Sequence, residues 1–415
     1  MIEFDRFTLN NGLRVIVHQD VTTPLVSMNI IYNVGSRDED PEKTGFAHLF
    51  EHLMFGGSVN IKKYDEPLER VGGENNAFTN SDVTDFYLTV PKQNLETAFW
   101  LESDRMLDLA FSKKSLEVQR NVVVEEFKQN YLNKPYGDTW LLLRPLAYTT
   151  HPYKWSTIGK SIEPIQNATM DDVKDFYTRF YNPNNAIMVL AGNTSIEEVK
   201  ELAVKWFGPI PAGEEVVRNL PVEPVQTEPR FLTVEREVPL DSIYKAYHMC
   251  GKMNDDFPII DLMSDMLSNG NSSRLYQSLI KEQQLFSDIN AFLTGDEDGG
   301  LFVVTGKLMQ GVTMEKAETA ILEEFDRLKT NQVNGDELQK VKNKVESLIA
   351  FTEMRIQERA LNLAYAEHLG DINLVNNDVL RYRAVTTEQI RTLANQILRP
   401  ENCSTLYYLS KKVNS

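Results

Sequence analysis

Phe46-Ala47-His48-Leu49-Phe50-Glu51-His52-Leu53-Met54-Phe55-Gly56-Gly57 is the segment on which the reading of this chain turns. At helical period it separates into two stripes. Phe46, Leu49, Phe50 and Leu53 recur at i, i+3, i+4 and i+7 and make an apolar face. His48, Glu51, His52 and Phe55 repeat the same spacing on the opposite side. Two imidazoles at i and i+4 stand one turn apart, near enough to hold one metal ion. Glu51 falls between them in angle, where its carboxylate would reach a water on the metal rather than the metal. The plainer alternative is an amphipathic helix that happens to carry two histidines on its polar face. Only six histidines occur in 415 residues, which leaves little room for this pattern by chance.

The chain around this helix is too long for one ordinary core, and its length suggests two to three domains. A hydrophobic content of 42% and a charged content of 25% are those of a globular protein. A net charge of −17 gives no electrostatic footprint for a phosphate backbone, so nucleic acid is excluded as a partner. Cys250 and Cys403, the two cysteines, are far apart and offer neither a disulfide framework nor a thiolate zinc cluster. The N-terminal residues Met1 to Arg6 lack a basic segment followed by an apolar one, and no 18-residue apolar run occurs. The expectation is a cytoplasmic protein with no membrane partner.

Leu13 to Val17 and Leu25 to Val34 read as strands, with Asn10-Asn11-Gly12 as the turn before the first. A polar loop, Ser36 to Lys43, leads into the histidine helix, which Gly56-Gly57 ends. Two further strands are expected over Val71 to Thr79 and Thr84 to Val90, then a long helical region from about Leu95 to Asn130. Ala168 to Tyr181 reads as a helix and Ala186 to Ala191 as a buried strand.

Five prolines between Pro209 and Pro229, with Gly213 and four glutamates, mark a linker. It divides the chain into a domain over 1–208 and another over 230–415, and the two halves echo each other. Thr169, Asp171, Val173, Phe176, Phe180, Pro183 and Asn185 are matched 217 residues on by Thr386, Glu388, Ile390, Leu393, Ile397, Pro400 and Asn402. Gly35 is matched by Gly251 at an offset of 216. Any helix-Pro-strand unit shares some of this pattern, but two distant segments agreeing in offset favour duplication. Ile259 to Asn269 holds Asp261 and Asp265 in place of histidines, so one half carries the metal and the other does not.

A catalytic zinc site usually has three protein ligands and one open position, so two histidines are not enough. On a helix over Leu116 to Phe127, Leu116, Val123, Phe127 and Tyr131 define the apolar face. Glu125 then faces solvent, and Glu126 flanks the apolar face at a partly buried angle. A pair of acids on a helix is ordinarily a solvated face, and periodicity alone does not raise Glu126 to a ligand.

At this point the sequence resembles a family. His48-x-x-Glu51-His52, followed after 74 residues by Glu126, is similar to the inverted zinc signature of the pitrilysin/insulinase metallopeptidases. Asn76-Ala77-Phe78-Thr79 before Thr84-x-Phe86-Tyr87 resembles that family's substrate-binding edge strand. The likeness covers the whole chain, and its length suggests the short, processing-peptidase-like branch. The resemblance implies an α+β fold of two homologous domains, each a mainly antiparallel sheet with helices packed on one face. It implies one zinc ion per chain on His48, His52 and Glu126, with Glu51 as general base and Asn76 to Thr79 binding peptide. The activity implied is endopeptidase cleavage of unfolded peptides in a chamber between two subunits. The alternative is a non-catalytic structural subunit, like the family's core proteins of respiratory complexes.

Two departures from the family pattern stand out. Many relatives carry an acid seven residues before the glutamate ligand, where this chain has Gln119. Active relatives also use an arginine and a tyrosine in the second half. The matching stretch here, Ile280 to Ser287, offers Lys281 near the arginine position and no tyrosine. A heterodimer with a related subunit is therefore expected, with a homodimer in which Lys281 replaces the arginine as the alternative. Arg274 and Tyr276 lie close by on a different turn and are not assigned to this role.

Overall fold

The computed structural model describes residues 1–331 and 333–411. Its strands form two sheets of the same plan. The first contains β1 (Asp5–Thr8), β2 (Arg14–Gln19), β3 (Leu25–Tyr32), β4 (Glu74–Thr79), β5 (Thr84–Pro91) and β6 (Ala186–Gly192), in the order β1-β2-β6-β3-β5-β4. The second contains β7 (Arg230–Arg236), β8 (Ser242–His248), β9 (Phe286–Leu293), β10 (Leu301–Leu308) and β11 (Cys403–Ser410), in the order β7-β11-β8-β10-β9. Only β2–β6 and β7–β11 pair in parallel; the other pairs are antiparallel. Leaving out β1, the second order reproduces the first strand for strand, in an α+β fold.

The duplication extends to side chains. Thr169 and Thr386 each cap a helix through a reciprocal capping box, with Asp172 and Gln389 as partners. Asn185 donates to the carbonyls of Asn33 and Phe180, and Asn402 donates to those of His248 and Ile397. Gly35 and Gly251 both press against backbone, where an added Cβ would come within 2.4 Å of Asp82 N and 2.1 Å of Glu297 O. These shared constraints explain the spacing common to both halves.

The compact units are not a single cut of the sequence. One comprises Met1–Lys128, Trp155–Leu220 and Ala350–Asn377; the other comprises Gln129–Lys154, Pro221–Ile349 and the chain from Asp378 onward. The break at Leu220/Pro221 falls inside the proline-rich stretch, whose residues are tied down: Gly213 N donates to Asn184 and Arg218 pairs with Asp38 at 2.6 Å. In the first unit, helix Ile356–His368 lays Ala360, Leu363 and Ala364 on Ile16, Ile31, Ile187 and Val189. Strand alternation puts Tyr32 and Met188 on the other face, toward the histidine helix. In the second unit, helix Thr139–Ala147 covers Tyr244, Ala246, Val303 and Leu406 in the same way. Each sheet thus carries one helix on the face opposite its main helical layer.

The helical region expected from Leu95 to Asn130 is two helices, Leu95–Leu107 and Lys113–Phe127, followed by a π-helical turn, Lys128–Leu132. The interruption has a backbone cause. Asp108 is extended, Phe111 takes φ 41°, and Leu109 forms an antiparallel bridge with Ser58. Ser112 then starts the second helix by accepting from Ser115 N at 3.0 Å. Among the described residues no helix is long and apolar enough to cross a membrane.

Candidate metal centre

The histidine helix runs Phe46–Leu53, and its apolar stripe is buried as the periodicity requires. Phe50 stacks at 5.0 Å on Phe176 and 5.1 Å on Tyr181, and Phe46 lies 6.0 Å from Phe176. Fully burying a side chain of this size contributes roughly 1.5–3 kcal/mol, so helix Met170–Phe180 is what fixes the rotation of the histidine helix. Glycines flank it on both sides in the left-handed region: Gly45 at φ 91° and Gly57 at φ 101°. An added Cβ on Gly45 would meet Ile158 O at 2.7 Å, and one on Gly57 would meet Lys62 O at 2.7 Å. These turns let a two-turn helix enter and leave a crowded layer.

The entry is held by a residue that periodicity does not single out. Glu39 is buried, and its two carboxylate oxygens accept from Gly45 N and Ala47 N, each at 2.9 Å. It therefore satisfies donors at the start of the helix, which has no side-chain cap of its own. Burial raises its carboxyl to about 8, against the pull of those two N–H groups. The one available signal was an acid in the loop ahead of the helix, and the loop's polarity concealed it.

With the helix fixed, His48 and His52 face the end of helix Lys113–Phe127. His48 Nε2 lies 3.7 Å from Glu126 Oε2, and His52 Nε2 lies 3.5 Å from the same oxygen. One donor atom from each of the three residues falls within 4.8 Å of the others. Ligands at about 2.0–2.2 Å from a tetrahedral centre stand about 3.3–3.6 Å apart, so this donor set fits a zinc-sized ion. The two rings meet edge to face, their centroids 4.9 Å apart and their planes at 88°. Glu125 instead points to solvent and pairs with Lys128 at 2.6 Å.

Electrostatics favour the ligating forms. Desolvation holds His48 below the ordinary histidine range, although the Glu126 charge opposes this. The hydrogen bond from His52 holds the Glu126 carboxyl below the usual carboxylate range. His48 Nδ1 is buried without a hydrogen-bond partner among the described residues, and Nε2 is the atom that stands 3.7 Å from Glu126.

Glu51 stays outside this triad. Its Oε2 accepts from Thr79 Oγ1 at 2.6 Å. Thr79 ends β4, the outermost strand of its sheet, so among the described residues β4 keeps one edge unpaired. Asn76 is exposed there, while Phe78 turns away and packs with the cluster beneath helix Ile356–His368. Alternation therefore puts Ala77 and Thr79 on the side of the histidine helix. Sequence reading placed Thr79 on the peptide strand but gave no sign that its hydroxyl meets Glu51.

Lys281 belongs to the second unit and is exposed on the helical turn Tyr276–Glu282. Arg274 nearby is occupied by a two-pronged pair with Glu337 at 2.8 and 2.7 Å.

Residues 14–141 match the family Insulinase (Peptidase family M16), and residues 167–345 match the Peptidase M16 inactive domain. The zinc protease PqqE of Helicobacter pylori is 28% identical over 409 residues, spanning 96% of this chain and 91% of that protein. The uncharacterized zinc protease YmxG of Bacillus subtilis is 26% identical over 401 residues, spanning 94% and 95%. The crystal structure of a protease from Helicobacter pylori superposes with a TM-score of 0.93 at 26% identity, over 99% of this chain and 100% of that one. With residues 14–141, which carry His48, His52 and Glu126, matching the first model and residues 167–345 the second, the chain belongs to the pitrilysin/insulinase family of peptidases, family M16.

Proposed function

We propose that this chain is a zinc-dependent endopeptidase with its centre at His48, His52, Glu51 and Glu126. The observation that carries the reading is the grouping of two imidazoles and one carboxylate, their donor atoms within 4.8 Å of one another, beside a second carboxylate held apart by a threonine hydroxyl. His48, His52 and Glu126 would hold the ion. When bound, zinc supplies Lewis acidity, lowering the pKa of water from 15.7 to about 7 and polarising a carbonyl. Glu51 takes the proton of the attacking water through the carboxylate oxygen that Thr79 leaves free, then returns it to the departing amine. The unpaired edge of β4 accepts the peptide as an added strand, where main-chain hydrogen bonds give affinity with little demand on side chains.

The reading extends to assembly. The Ile280 to Ser287 stretch lacks the arginine and tyrosine that the family resemblance calls for. A related subunit would supply them and close a chamber that admits unfolded peptide only. The deciding experiment is zinc analysis of the purified chain together with a quenched-peptide assay, alone and with candidate partner subunits. Stoichiometric zinc with cleavage that is lost in Glu51→Gln supports the reading. Stoichiometric zinc without cleavage under any pairing would leave a structural subunit and overturn it.

A further inference from the structure

The hydrogen bond between Thr79 and Glu51 joins two elements that the chain builds separately. Glu51 is on a helix whose rotation is set by an aromatic layer, and Thr79 is on a strand whose register is set by β5. A glutamate has three side-chain torsions, and nothing in the spacing of a helix decides where its carboxylate goes. The 2.6 Å bond from Thr79 Oγ1 decides it, occupying Oε2, while Oε1 has no hydrogen bond among the described residues.

The donor end of this bond is tied down on several sides. Beyond Thr79, the turn Asn80–Val83 closes through Asn80 N to Val83 O at 3.0 Å, and Asn80 Oδ1 accepts from Asp82 N and Val83 N at 2.7 and 2.8 Å. That turn is clamped from outside. Ser36 N donates to Asn80 O, Arg37 N donates to Ser81 O, and the Arg37 guanidinium pairs with Asp82 at 2.7 Å with both side chains nearly buried. Two residues on, Glu39 holds the start of the histidine helix. A single short loop therefore fixes both the strand end that carries Thr79 and the helix that carries Glu51.

We propose that Thr79 is the positioning residue for Glu51. Its hydroxyl holds the carboxylate beside the metal donors rather than among them, and aligns it with the strand edge that receives peptide. The inference rests on Glu51 being the general base. A peptide paired to β4 is then in register with the base because one residue belongs to the strand and touches the base.

The test compares the wild type, Thr79→Val and Thr79→Ser, each loaded with zinc and supplied with whatever partner the wild type requires. Valine keeps the shape and removes the donor. A misplacement of about 1 Å costs on the order of 10²-fold, so Thr79→Val should lower kcat by about that factor. KM and zinc stoichiometry should stay near wild type, and Thr79→Ser should recover most of the loss. Unfolding midpoints of Thr79→Val, Glu51→Ala and the double variant give a readout independent of activity: alanine removes the acceptor, so the two substitutions should be clearly non-additive. Additive midpoints, a wild-type kcat for Thr79→Val, a loss confined to KM, or failure of serine to recover activity would each overturn the positioning role while leaving the peptidase reading standing. A zinc-loaded wild type that cleaves nothing under any pairing would overturn the peptidase reading, and the role of Thr79 with it, even if the midpoints remain non-additive.

Discussion

Glu51 and Glu126 are chemically identical, one on the helix of the two histidines and the other reaching them from a second helix, and they have different surroundings. Glu126 approaches both Nε2 atoms, while Glu51 is drawn aside by a hydroxyl. Glu51→Gln keeps the volume and removes the proton acceptor. It should lower kcat by about 10²–10⁴-fold and leave zinc content unchanged, as measured by elemental analysis alongside the peptide assay. Glu126→Gln should weaken zinc binding by more than the roughly 10–100-fold that outer-shell substitutions cost, whereas Glu125→Gln should leave it unaltered. Competition with a chelator measures both. A loss confined to Glu125→Gln would shift the ligand by one position.

The histidine helix spans only eight residues, too few to persist without support. Its partners are the aromatic layer on one side and Glu39 at its start. The Glu39 carboxyl is raised to about 8 from an ordinary value near 4.5. Between those limits the folded chain keeps a proton that the unfolded chain has released. This contribution to stability is therefore present in full below about 4.5 and is lost as pH rises toward 8. Since one pKa unit corresponds to about 1.4 kcal/mol, the loss is on the order of a few kcal/mol. Glu39→Gln cannot ionise and turns a donor toward one of the two backbone N–H groups, at a cost of about 1–3 kcal/mol. In denaturant unfolding across a pH series, the variant should be the less stable protein at pH 5, and the gap should narrow toward pH 8. A gap that widens would show that Glu39 is held as the anion.

The unit that carries the metal donors is assembled from three stretches of chain, the last of them Ala350–Asn377. A fragment of residues 1–208 keeps every metal donor but uncovers Ile16, Ile31, Val83 and Ile187, which helix Ile356–His368 buries. That fragment should bind zinc poorly and aggregate, and a peptide covering 350–377 added in trans should restore solubility and zinc content together. Leu363→Ala in the full chain should cost about 2–5 kcal/mol through the cavity it leaves in the same layer. On assembly, the purified chain should cleave peptide weakly until a partner with the missing arginine and tyrosine is supplied. Robust cleavage by the lone chain that Lys281→Ala abolishes would favour the homodimer.

Local periodicity was enough to locate the histidine helix, most of the strands around it and the repeat, because helices and strands leave regular apolar spacings and a duplicated fold reuses its caps and turns. Thr169 and Thr386, or Gly35 and Gly251, are legible for that reason. The same periodicity says which face of a helix is apolar, but not which sheet will cover it. For this reason the exchange of helices Thr139–Ala147 and Ile356–His368 between the halves was hidden, and a cut at the prolines looked sufficient. Glu126 had only a partly buried angle on its helix until the fold closed two distant elements to 3.5 Å, and Glu39 and Thr79 read as loop and strand residues. Their roles depend on distances between segments far apart in sequence, which packing sets and local spacing does not encode.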